Sequence, residues 1–156
     1  MSLRRMPPVW SPLTLTAVFG GVRAGWLGNG RRARQEVERA LRAAYGPDAL
    51  FLTDSGTSAL TLAISAARSV SPTPIALPAY CCYDVATAAI GADAPFFLYD
   101  LDPGTLSPDL ASLRLALEGG AGTVVVAHLY GVPMDFAAVE ALAAEFGALI
   151  VEDAAQ

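Results

Sequence analysis

Val124, Val125 and Val126 stand together inside the run Thr123 to His128, and that run constrains the fold most. An uninterrupted β-branched segment of this length reads as a strand of a sheet covered on both faces, not as a strand with one wet side. The rest of the chain supplies the cover. Helical spacing sets Ala33, Val37, Ala40, Leu41 and Ala44 on one face of Arg31 to Ala44, and Gly46-Pro47 ends that helix. Further helices are expected over Ser58 to Ala67, Cys82 to Ile90, Asp109 to Leu117 and Asp135 to Phe146. Short apolar runs between them predict strands at Ala49 to Thr53, Ile75 to Leu77, Phe96 to Tyr99 and Leu149 to Glu152. Strands alternating with helices imply right-handed crossovers. The expected class is therefore α/β, a three-layer α/β/α arrangement around a mostly parallel sheet. Residues 1–30, rich in Pro and Gly, read as an irregular lead-in, and residues 31–156 as the domain.

Composition narrows the function. Hydrophobic residues make up 54% and charged residues 16%, so part of this surface should be covered by more protein. With a net charge of −5 and no dense basic stripe, nucleic-acid binding is excluded as an expectation. No apolar stretch reaches membrane-spanning length without interruption. The two cysteines, Cys81 and Cys82, are adjacent, which suits neither a disulfide framework nor a metal site and points to a reducing, cytoplasmic setting. All ten basic residues are Arg.

Four segments sit at strand–helix junctions, where an open parallel sheet binds ligands. In Asp54-Ser55-Gly56-Thr57-Ser58, Gly56 permits close backbone approach, two hydroxyls follow, and the next helix offers unpaired N–H groups. That suits a phosphate seat, although on the local string alone an ordinary N-cap at Ser55, Thr57 or Ser58 is the commoner reading. The Walker and dinucleotide glycine patterns are both absent. In Glu152-Asp153-Ala154-Ala155-Gln156, Asp153 closes an apolar strand, where a carboxylate can hold a ring nitrogen protonated or simply cap a helix. His128, the one histidine, ends the Val-rich strand before Gly131 and Pro133, and such a lone histidine is more often structural than catalytic. Pro78-Ala79-Tyr80-Cys81-Cys82-Tyr83 could lay a side chain on a flat ring or pack in the core.

In order, Gly25-Trp26-Leu27, Ser55 to Leu60, Pro78-Ala79-Tyr80, Asp100-Leu101-Asp102 with Thr105-Leu106, His128 to Gly131 and Val151 to Gln156 resemble the DegT-type nucleotide-sugar aminotransferases. The resemblance implies the large domain of a fold-type-I enzyme dependent on pyridoxal 5′-phosphate (PLP), a homodimer when complete. It implies substrates comprising an amino-acid donor and a nucleotide-linked keto-sugar. Carried across, Gly56, Thr57 and Ser58 face the cofactor phosphate, Asp153 pairs with the pyridine nitrogen, and Gln156 lies near the phenolic oxygen. Cys82 stands where the family usually stacks an aromatic ring. The family's Schiff-base lysine and its small C-terminal domain lie downstream of the Asp-Ala-Ala-Gln segment. None of these 156 residues is a lysine, and Arg cannot take its place, so this polypeptide alone should not transaminate. The same resemblance admits a sugar dehydratase, in which His replaces that lysine, or a non-catalytic relative.

Overall fold

A computed structural model of the chain describes residues 14–26, 28 and 30–155. The chain divides into two units, residues 1–50 and 51–156. The first contains α1 (Leu15–Trp26) and α2 (Gly30–Tyr45). Helix α1 corrects the expectation of an irregular lead-in. Pro7, Pro8 and Pro12 all precede it, and Leu15, Val18, Phe19, Val22 and Trp26 then recur at helical spacing. Thr14 starts the helix, its hydroxyl accepting from the Ala17 N–H at 3.2 Å. On α2, Arg32–Glu36 and Arg34–Glu38 pair one turn apart, Glu toward the helix C-terminus.

The second unit is the layered domain. It holds α3 (Gly56–Val70), β1 (Ile75–Pro78), α4 (Tyr83–Gly91) and β2 (Phe96–Tyr99). There follow α5 (Leu110–Glu118), β3 (Thr123–Ala127), a single 3-10 turn at Leu129–Gly131, α6 (Phe136–Glu145) and β4 (Leu149–Asp153). All four strands are parallel, in the order β2-β1-β3-β4. Strand alternation sends Val125 toward α3 and α4, where it joins Leu60, Ile64, Val85 and Ala88. Val124 and Val126 point the other way, against Leu113 and Leu117 of α5 and Val139 and Leu142 of α6. The triple valine is thus buried on both faces.

Side-chain caps set three of the helix starts. Ser55 caps α3, Asp109 caps α5 and Asp135 caps α6, each accepting a first-turn N–H. The strand expected at Ala49 to Thr53 does not form. A strand needs a ladder partner, and among the described residues this segment has none; Phe51 is 72% exposed, so no burial rewards extension.

Candidate functional site

Strand order places a crevice. From β1 the chain crosses to β2 on one side, then returns to β3 on the other side of β1 and continues outward to β4. The connections therefore diverge between β1 and β3, the switch point at which open sheets bind ligands. The ladder shows the divergence. β1 and β2 pair through Pro78↔Tyr99, and β3 and β4 through Ala127↔Asp153, but β1 and β3 pair only at Ile75↔Thr123 and Ala76↔Val124. Tyr99 spans the gap, its buried hydroxyl donating to the Val125 carbonyl at 2.8 Å. Burial raises the Tyr99 hydroxyl well above its ordinary value.

A cavity of about 410 Å³ opens at this carboxyl rim, within the range of roughly 300–1,000 Å³ usual for small-molecule sites. Three walls meet in it. Ser55, Gly56 and Thr57 come from the start of α3, Cys82, Asp84 and Val85 from the start of α4, and Ala127, His128, Asp153 and Ala155 from the ends of β3 and β4.

The α3 wall is shaped by its cap. Ser55 Oγ accepts from the Ser58 N–H at 3.1 Å and donates to Ser58 Oγ at 3.0 Å. The cap and the anion seat therefore coexist. Ser58 is spent on the cap and is not among the cavity-lining residues, while the N–H groups of Gly56 and Thr57, at the very start of the helix, have no acceptor within it. Beyond its chain neighbours and its own helix backbone, nothing lies within 4 Å of the place a Cβ would take on Gly56, which leaves room for a ligand against its backbone. Behind the seat, the Ser58 side chain and nearby N–H groups hold the exposed Asp54 carboxyl below its ordinary value.

The other walls carry carboxylates, Asp84 and Asp153. Asp153 ends β4, with Oδ1 accepting from the Ala155 N–H at 3.3 Å. Cys82 donates from Sγ to Asp84 Oδ2 at 3.4 Å. Cys81, beside them, is raised first by burial and then by the neighbouring Cys82 and the Asp153 charge. No Arg lines the cavity among the described residues. The structure thus brings Gly56, Thr57, Cys82 and Asp153 to one cavity and leaves Ser58 beside it. Gln156 lies outside the described residues.

Two features escaped the sequence reading. Asp84 lines the cavity, and His128 Nε2–H donates to Glu152 Oε1 at 2.6 Å across the β3–β4 seam. Their ends are aligned by strand register, which no local motif encodes. Placing the carboxyl ends of the two strands side by side would have revealed the second.

A parallel α/β sheet whose carboxyl rim brings a helix N-terminus and a strand-end carboxylate to one cavity defines a ligand-binding α/β domain. The comparisons make this specific. Residues 14–156 match the model of the DegT/DnrJ/EryC1/StrS aminotransferase family, and the chain belongs to that family. It is 28% identical over 149 residues to dTDP-4-dehydro-2,3,6-trideoxy-D-glucose 4-aminotransferase of Saccharopolyspora spinosa, covering 95% of this chain and 39% of the relative. It is 33% identical over 102 residues to L-glutamine:2-deoxy-scyllo-inosose aminotransferase of Streptoalloteichus tenebrarius, covering 65% of this chain and 24% of that one. The crystal structure of 3-amino-5-hydroxybenzoic acid synthase superposes with a TM-score of 0.77 at 25% identity, over 95% of this chain and 40% of that one. The fold is that of fold-type-I PLP aminotransferases. The chain spans no more than about two fifths of the length of these proteins.

Proposed function

We propose that this chain forms the cofactor-cradling part of a PLP-dependent aminotransferase that moves an amino group from an amino acid to a nucleotide-linked keto-sugar. One observation carries the reading: the α3 N-terminus at Gly56–Thr57 and the Asp153 carboxylate line the same cavity. The residues suit the cofactor. The N–H groups of Gly56 and Thr57 and the Thr57 hydroxyl hold its phosphate at the positive end of the α3 dipole. Asp153 keeps a proton on the ring nitrogen by ion pairing in a partly desolvated site. Cys82, polarisable and compact, would lie on the α4 wall beside the ring. Gln156, which lies outside the described residues, would serve the phenolic oxygen. When bound, PLP supplies the electron sink on which transamination depends. None of these 156 residues is a lysine, so the Schiff base that the family resemblance implies would need a residue that this chain does not supply. The reading of a nucleotide-linked acceptor is supported by the Saccharopolyspora relative, whose name specifies a dTDP-sugar.

Fluorescence titration of this chain with PLP tests the cradle. Asp153→Ala should weaken binding about 10- to 100-fold, the scale of one hydrogen bond to a charged group. Unchanged affinity in a folded variant refutes the site. The whole protein, supplied with glutamate, should aminate dTDP-4-dehydro-2,3,6-trideoxy-D-glucose in preference to 2-deoxy-scyllo-inosose. The reverse preference refutes the nucleotide-linked acceptor.

A further inference from the structure

We propose that His128 and Glu152 form a clamp that positions Asp153 for the ring nitrogen, a role that rests on the reading of Asp153 given above. Asp153 is the last residue of β4, and its carboxylate has little local restraint: the hydrogen bond from Ala155 N–H is long, at 3.3 Å. A strand end held so lightly frays, and a displaced carboxylate loses its partner. Two contacts from one neighbouring residue oppose this. The His128 N–H donates to the Asp153 carbonyl at 3.1 Å, extending the β3–β4 ladder by one step. The His128 imidazole donates to Glu152 at 2.6 Å. Backbone and side chain of His128 therefore grip two successive residues of β4.

The faces explain why both are needed. Ile150 packs on the α5–α6 side and Val151 on the α3–α4 side. By alternation Glu152 follows Ile150 and Asp153 follows Val151. The imidazole–carboxylate bond thus lies behind the strand, while the Asp153 carboxylate faces the cavity in front. Rotation of the end of β4 that swings Asp153 out of the cavity must also break the bond behind it. The imidazole is itself braced, stacked on Phe136 at the start of α6 with ring centroids 6.3 Å apart and planes 28° from parallel. As a pair merely decorating the surface, it would contribute little, because the Glu152 side chain is 47% exposed. Its leverage comes from the residue next in sequence. His128 and Glu152 are positioning residues, acting on the ligand through Asp153.

A double-mutant cycle on this chain tests the clamp, with PLP affinity, competition by inorganic phosphate and melting temperature measured together. His128→Ala and Glu152→Ala should each weaken PLP roughly fivefold, the loss of about one modest hydrogen bond. The double variant should bind no worse than either single, because the clamp is already broken. Inorganic phosphate, which occupies only the α3 end, should compete as before. His128→Gln and Glu152→Gln each preserve a cross-strand hydrogen bond and should recover most of the affinity; they also read the clamp if an alanine variant fails to fold. Additive losses, a parallel fall in phosphate affinity, or glutamine variants as weak as alanine would overturn the proposal. Asp153→Ala separates the two levels. If it leaves PLP affinity intact, the site reading fails; if it weakens PLP while the clamp variants do not, only the clamp fails.

Discussion

Replacing Tyr99 with Phe removes a single oxygen at the point where the sheet opens. Tyr99 is 1% exposed, and its hydroxyl donates at 2.8 Å to a Val125 carbonyl beyond the last β1–β3 pair. Without that donor the carbonyl is left buried and unpaired on the side of the gap, which costs about 2 kcal/mol. In urea, with a slope of about 2 kcal/mol per molar for a domain of this size, the midpoint followed by far-UV circular dichroism should fall about 1 M at unchanged slope. The pH dependence makes the test specific. Burial raises the folded-state value above the ordinary 10.0. The stability tied to the protonated hydroxyl is therefore fully present below pH 10 and is lost above it, as the unfolded chain releases the proton first. The wild type should lose about 1.4 kcal/mol more than Tyr99→Phe for each pH unit above about 10, so the gap between them narrows to roughly a third by about pH 11. A gap that stays constant from pH 8 to 11, or no initial loss, would show that Tyr99 does not bridge the split as described.

Three further outcomes follow from local geometry. Ser55→Ala removes the α3 cap and should cost about 1 kcal/mol in a urea melt, whereas Ser55→Asp should keep the cap yet weaken PLP and inorganic phosphate by placing a negative charge at the seat. Gly122→Ala should destabilise by about 1–3 kcal/mol, because its Cβ would fall 2.2 Å from Thr73 Oγ1 and 2.6 Å from Ser71 Oγ; differential scanning calorimetry measures it. Iodoacetamide at mild alkaline pH should label exposed Cys82 before Cys81, whose thiol is raised by burial, and PLP should slow the labelling of Cys82, as peptide mass mapping will report.

The fold was legible where one physical cause dominated. Short uninterrupted apolar runs mark strands, so Ile75 to Leu77, Phe96 to Tyr99 and Leu149 to Glu152 each fall within one residue of their observed bounds, although among these only β1 is buried throughout. Helices opened by Ser55, Asp109 and Asp135 carry their start signals in the chain itself. Misreadings came where the outcome depended on partners. Ala49 to Thr53 has strand composition but no neighbour to pair with, and α1 was obscured by the prolines ahead of it. For the site, residue types at strand ends pointed to Gly56, Thr57 and Asp153, yet the division of labour within the α3 cap was invisible. Ser55 and Ser58 both bear hydroxyls, and only geometry decides that they bond to each other.

Topology explains why an α/β chain with so little charge can build such a site. The switch between β1 and β3 opens a crevice with no need for a specific side chain, and helix α3 brings a partial positive charge to it from backbone alone. The sequence need then supply only what backbone cannot: a carboxylate opposite the helix terminus, which is Asp153, and room for a ligand, which Gly56 provides. On the α4 wall the Cys82 thiol is engaged with Asp84 at 3.4 Å. On the proposed reading, binding strength would then rest on the two ends of the ligand, at Gly56–Thr57 and at Asp153, and on the His128 contacts that keep the end of β4 in register with β3.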